Sequence, residues 1–171
     1  TQNMNFVLDL GVMDFLRTHA LSREVADAEG TAQRVFEAAN QLAGEPFFAH
    51  TQLTQLSGGQ SRALMIADTA LLSWSPVLLI DEIENAGVDK RKALNLLLAS
   101  DKIIVMATHD PVLALAADRR LVFEQGAVAA VLARTPAEDA LLARLEDMEK
   151  QWSDVREALR KGADMAAWAE C

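Results

Sequence analysis

Two short, uninterrupted apolar runs, residues 77–80 (Val-Leu-Leu-Ile) and 103–107 (Ile-Ile-Val-Met-Ala), constrain this chain more than any other feature. Runs of this length without polar alternation read as strands covered on both faces, the pattern of a parallel sheet held between helices. Each stops abruptly in polar residues: Asp81-Glu82 after the first, Thr108-His109-Asp110 after the second. A helix over about 90–99 joins them, and strand alternating with helix predicts an α/β fold with a mainly parallel sheet. Ligands of such sheets gather at the carboxyl ends of the strands. Asp81, Glu82 and His109 are therefore the first candidate functional residues.

Upstream, Val35, Ala38, Ala39 and Leu42 have helical spacing and predict a helix over 27–42, broken by Gly44, Glu45 and Pro46. In residues 53–72 a Ser-Gly-Gly turn opens a long apolar-rich helix that ends before Pro76. The opening stretch, with Phe6, Val7, Leu8, Leu10, Val12, Phe15 and Leu16, is an apolar entry of mixed pattern. Beyond the second strand, 111–117 reads as a short helix. Residues 121–124 and 127–132 read as a hairpin around Gln125-Gly126.

The tail carries Leu141, Leu145, Met148, Trp152, Val155 and Leu159, the alternating four-and-three spacing of a packed helix. Pro136 marks its start, Glu138 and Asp139 lie in its first turn, and Gly162 is near its end. Packing of this stripe on its own domain is the plainer expectation. Docking on a second subunit or partner is the other.

Composition narrows the function classes. No apolar run approaches the roughly 18 residues that cross a bilayer; the longest, 127–133, has seven. A net charge of −9 argues against broad contact with a nucleic-acid backbone, which calls for a basic face. The single cysteine, Cys171, provides no internal disulfide and fits a reducing compartment. The first residue is Thr1, with no leader pattern behind it, so the expectation is a cut edge rather than a natural start.

Two acids after a strand suit a magnesium–nucleotide site, one carboxylate for the metal and its neighbour for the attacking water. An acid pair that only ends a strand is the plain alternative. Ser57-Gly58-Gly59-Gln60 has related physics. Glycines admit close approach of an anion, and the free N–H groups and dipole of a helix start favour phosphate. An ordinary serine N-cap is the plain alternative there.

Taken in order, LSGGQ (56–60), a helix, VLLIDE (77–82), NAGVD (85–89) and ATHD (107–110) resemble the ATP-binding-cassette (ABC) ATPase family motif by motif. They resemble its signature motif, its Walker B strand with the catalytic glutamate, its D-loop and its switch histidine. The opening Thr1-Gln2-Asn3 looks like the family's glutamine loop, and the similarity covers roughly residues 1–134. The resemblance implies ATP and Mg2+ as cofactors. Asp81 would hold the metal, Glu82 would polarise the attacking water, and His109 would contact the γ-phosphate. Gln2 would sense metal and nucleotide. Ser57, Gly58, Gly59 and Gln60 would grip the γ-phosphate of ATP on the opposite subunit, and Asp89 would connect the two sites. His19 and His50 match no motif and read as surface or loop residues.

The departures are as informative. No glycine in this chain is followed by lysine, so the phosphate-binding loop G-x-x-x-x-G-K-S/T is missing. Ile83 stands where many relatives carry proline, Glu84-Asn85 replaces a Thr-Ser-like pair, and Asp68 stands where transporters often carry arginine. The stretch between Asp89 and Thr108 is short, which trims its helix. The implied fold is thus part of an α/β P-loop NTPase of ABC type. Residues 1–73 form the glutamine loop, helical subdomain and signature helix. Residues 74–134 form the Walker B half of the core, and 135–171 a helical extension. The implied function is the ATP-hydrolysing subunit of an ABC transporter, cytoplasmic and peripheral on the inner face of the membrane. Its expected partners are a second ABC subunit, a transmembrane permease and the missing N-terminal Walker A half, with no nucleic acid. A soluble ABC ATPase of the DNA-repair, chromosome-organising or translation-linked type is the alternative. A half-domain donating its signature motif in trans is another.

Overall fold

The computed structural model describes residues 9–81, 83 and 87–164. Gln2, Glu82 and Asn85 lie outside them. The chain forms two compact units, Thr1–Thr108 and His109–Cys171.

The first unit is built on helices α1 (Val12–Ser22), α2 (Ala28–Leu42) and α3 (Gly58–Leu71). Helix α1 falls in the stretch whose sequence pattern is mixed. Its buried residues are Val12, Met13, Leu16 and Ala20, one stripe at helical spacing. Its entry is tied down when the amides of Val12 and Met13 donate to the carbonyls of Thr51 and Ala49, both at 3.0 Å. Helix α2 begins on Asp27, whose side chain accepts from the Gly30 amide at 2.9 Å. A Cβ on Gly30 would lie 2.1 Å from that carboxylate, so glycine here is the residue compatible with the cap. Ala32, Ala39, Ala63, Ala67 and Ala70 are buried on α2 and α3, and small side chains let the two helices approach closely.

The polar contact that pins α1 to α3 is not visible in any local pattern. His19 is part-buried, and its Nδ1 lies 2.7 Å from Asp68 Oδ1. This corrects the surface reading of His19: residues 49 positions apart form a pair inside the helical layer. Burial pushes the Asp68 carboxyl above its usual range, opposed by the hydrogen bond and charge of His19 and by the charge of Arg23. His19→Ala would leave a buried carboxylate without its partner. The expected loss is about 1–3 kcal/mol of stability, read by urea unfolding, with Asp68→Ala on the same background recovering part of it. An unchanged midpoint in the single variant would mean that water replaces the imidazole at no cost.

Strands β1 (Val77–Asp81) and β2 (Ile103–Ala107) pair in parallel, with Val77 opposite Ile103 and Asp81 opposite Ala107. Helix α4 (Lys90–Leu98) connects them. The expectation of strands buried on both faces needs correction. Leu78 is buried, but Val77, Leu79, Ile103 and Val105 are exposed, Leu79 at 80%. Strand side chains alternate between faces, and among the described residues one face of this pair is covered while the other is open.

The second unit starts with α5 (Pro111–Ala116), capped by Asp110, whose carboxylate accepts from the amides of Val112 at 2.9 Å and Leu113 at 3.1 Å. Antiparallel strands β3 (Arg119–Glu124) and β4 (Ala127–Ala133) follow. Gln125 (φ 49°) and Gly126 (φ 80°) both take left-handed backbone, the requirement of a two-residue hairpin turn matched to strand twist.

Helix α6 (Pro136–Arg160) has well-made ends. Thr135 and Glu138 form a reciprocal capping box, and Arg120 pairs with Glu138, holding its carboxyl below the usual range. At the other end Gly162 (φ 71°) closes a Schellman motif: its amide donates to Leu159, and the Ala163 amide donates to Ala158. The described residues cover the stripe only in part, with Leu145 and Val155 half-buried. Leu142, one residue out of the stripe, is the buried residue of α6, while Leu141, Met148, Trp152 and Leu159 are exposed.

Candidate functional site

The start of α3 gathers most of the candidate residues that the structure describes. Ser57 has extended backbone (φ −62°, ψ 161°), and its hydroxyl accepts from the Gln60 amide at 3.3 Å. The Gln60 side-chain oxygen accepts in turn from the Ser57 amide at 2.9 Å, and its Nε2 donates to the Glu45 carbonyl at 3.3 Å. This S-x-x-Q capping box orders the turn and fixes the register of the helix start. Ser57 is therefore an N-cap whatever else it does.

The glycine beside it has no such internal explanation. A Cβ on Gly58 would meet nothing within 4 Å, and its φ is not in the left-handed region. Among the described residues nothing crowds this position, and no turn demands glycine there. Its lack of a side chain leaves the helix N-terminus open to approach from outside, where amides and the helix dipole favour an anion.

The Asp89 loop lies against the same corner. A Cβ on Gly87 (φ 63°) would be 3.7 Å from the Gly59 Cα, and one on Gly44 would be 3.5 Å from the Gly87 carbonyl oxygen. Val88 bridges to Ala43, and the Asp89 amide donates to the Leu42 carbonyl at 3.0 Å. Asp89 is the N-cap of α4, with Oδ1 accepting from the Lys92 amide at 3.1 Å and Oδ2 3.4 Å from Lys92 Nζ. Residues from three separate sequence segments thus meet at the end of α2 and the start of α3.

Asp81 is the last residue of β1 and is exposed, opposite Ala107 on β2. His109 follows β2 by two residues and begins the second unit; it too is exposed. Gln2 and Glu82 lie outside the described residues. Among the described residues no group of three or more metal-ligating side chains occurs. An accessible carboxylate such as Asp81 fits Mg2+, which is commonly held by one or two carboxylates with phosphate oxygens and water completing its shell.

A second surface went unread in the sequence. Phe36, Asn40, Pro46, Phe47, Phe48 and His50 line an open groove on the helical layer. Asn40 holds its rim by accepting from the Phe47 amide at 2.8 Å, and Phe36 meets Phe47 edge-on at 5.7 Å between centroids. Phe48 is 70% exposed and stacks on His50. The adjacent Phe47-Phe48 pair after Pro46 was the available signal, since one ring of such a pair turns inward and the other outward.

No family model matches the chain. It is 46% identical over 162 residues to the uncharacterised ABC transporter ATP-binding protein MJ0121 of Methanocaldococcus jannaschii, a match covering 95% of this chain and 62% of that protein. The chain therefore spans about three-fifths of the length of that relative. Among solved structures it resembles the ATP-binding cassette MJ0796 in its dimeric post-hydrolysis state bound to ADP and Pi. The TM-score is 0.59 at 22% identity, over 74% of this chain and 57% of that one. This second likeness is one of fold. The ordered motif series, the relative MJ0121 and the fold agree in likening the chain to the nucleotide-binding domains of the ABC ATPases.

Proposed function

We propose that this chain supplies the signature, Walker B and switch parts of an ATP-hydrolysing subunit of an ABC transporter, which works as a dimer with ATP at the interface. The observation that carries this reading is Gly58, a glycine at an ordered helix start for which the described residues give no steric or conformational reason. In the dimer the amides around Ser57, Gly58 and Gly59 would receive the γ-phosphate of ATP bound on the opposite subunit, with Gln60 holding the turn. Asp89, on the loop packed at Gly59, would transmit the state of one site to the other. Asp81 would hold Mg2+, which when bound neutralises phosphate charge. Glu82 would orient and deprotonate the attacking water, His109 would hydrogen-bond the γ-phosphate, and Gln2 would monitor metal and nucleotide.

Two observations support the transport reading over a soluble ABC ATPase. The relative at 46% identity carries the transporter description. The groove beside Phe48 also offers an apolar surface on the helical layer, where a membrane partner would engage. No described helix is long and apolar enough to cross a membrane.

The test compares ATP hydrolysis by the 171-residue chain and by the full-length protein, in solution and with membranes from its source. The chain alone, which has no G-x-x-x-x-G-K-S/T loop, is expected to show no turnover, and the full-length protein to hydrolyse ATP at a rate that membranes alter. Turnover by the chain alone overturns the reading of the site. A full-length enzyme indifferent to membranes in both rate and location overturns the transport assignment.

A further inference from the structure

Helix α6 presents an apolar stripe that is mostly uncovered, with Leu145 and Val155 half-buried. Leu141, Met148 and Val155 occupy one set of heptad positions (d), and Leu145, Trp152 and Leu159 the other (a). At 1.5 Å per residue the stripe is about 27 Å long. Trp152 is 64% exposed and Met148 53%, and Leu141 and Leu159 are exposed as well. Leu142, one residue outside the stripe, is the fully buried residue of α6, which contacts α5. Both helix ends are closed by their own caps, so the helix does not depend on a partner to define its limits.

The charges flanking the stripe select what covers it. Arg144 occupies a g position and Glu149 the e position five residues on, the pair that face each other across a parallel, in-register two-stranded coil. Two copies therefore make two Arg144–Glu149 pairs related by the two-fold axis, and Gln151 faces Arg156 without repulsion. The antiparallel alternative, with Leu141 opposite Leu159 and Met148 opposite Trp152, brings Glu149 of each copy against the other. That costs repulsion where the parallel form gains attraction. We propose that α6 pairs with α6 of a second copy of this chain as a parallel coiled coil. This contact lies outside the nucleotide site and needs no ATP. It gives the protein a constitutive dimer seam, separate from a seam that opens and closes with nucleotide.

The experiment places a single cysteine at position 159 (Leu159→Cys in a Cys171→Ser background) in the otherwise intact chain and oxidises it without nucleotide. In the parallel coil the two 159 positions share a layer, so a disulfide-linked dimer forms. In the antiparallel form they lie at opposite ends. Arg144→Glu is expected to weaken the dimer about tenfold or more and to reduce cross-linking accordingly, and adding Glu149→Arg restores both. Arg144 is exposed and Glu149 half-buried, and circular dichroism checks that the helix persists. The proposal is overturned by no cross-link at 159, or by cross-linking that ignores Arg144→Glu. A double variant no better than the single one also overturns it. Because the sheet face is open too, cross-linking at 159 and its charge dependence assign the contact to α6 rather than to strands.

Discussion

Glu82→Gln in the full-length protein should abolish steady-state ATP hydrolysis while leaving ATP binding intact, and should hold the protein as an ATP-bound dimer. The substitution keeps the size of the side chain and removes the group proposed to take the proton from the attacking water. A positioned general base contributes about 10²–10⁴-fold, so a loss of that order is expected. Asp81, one residue earlier and at the end of β1, keeps its carboxylate in this variant. The two acids are separated by the measurement: Asp81→Asn should weaken the magnesium dependence of nucleotide binding, whereas Glu82→Gln should not. Phosphate release and size-exclusion chromatography with ATP read the outcome. Hydrolysis within a few-fold of the unaltered protein would remove Glu82 from the chemistry.

The second large effect is expected at Ser57. Its hydroxyl caps α3 by accepting from the Gln60 amide, and loss of such a cap costs about 1 kcal/mol of stability. That is a stability effect and does not explain a large loss of rate in a protein that remains folded. Ser57→Arg adds a long side chain beside the open Gly58 position, where the proposed function has phosphate approach the amides. ATP binding to the opposite site should survive, with hydrolysis down at least ~100-fold, about 2.7 kcal/mol of transition-state stabilisation. Ser57→Ala separates the two roles, since it removes the cap without blocking the approach. If Ser57→Ala and Ser57→Arg lower the melting temperature equally and neither lowers the rate, Ser57 is only a cap.

What was legible in the sequence was local. Pro136, Glu138 and Asp139 in the first turn, and Gly162 mark the limits of α6, and Gln125-Gly126 marks the hairpin turn, because caps and turns are decided by a few adjacent residues. Helix α1 escaped a clear reading because its apolar residues continue from an apolar stretch that masks the period. The His19–Asp68 pair was invisible for a different reason. Neither residue carries a pattern, and only the packing of α1 on α3 brings them to 2.7 Å. The exposure of one face of β1 and β2 was misjudged because an apolar run records what a strand needs covered, not which chain segment covers it. At the site, the motif series marked Ser57, Asp81, Asp89 and His109. The packing of Gly87 against Gly59 came from the fold, and Gln2 and Glu82 rest on the motif series alone.

The two-sided character of β1 has a consequence for anyone mapping tolerance to mutation. Leu78 answers to this chain's own interior, so its replacement will register in any assay of folding. Leu79, one residue along and facing the other way, will look dispensable in the same assay, as an oily residue on a surface does. Yet the uninterrupted run from Val77 to Ile80 carries no polar residue on that outward side, which is how a surface looks when water is not its customary neighbour. A substitution scan read by folding alone would therefore rank the two sides of one strand as unequal, and would pass over whatever role the outward side has.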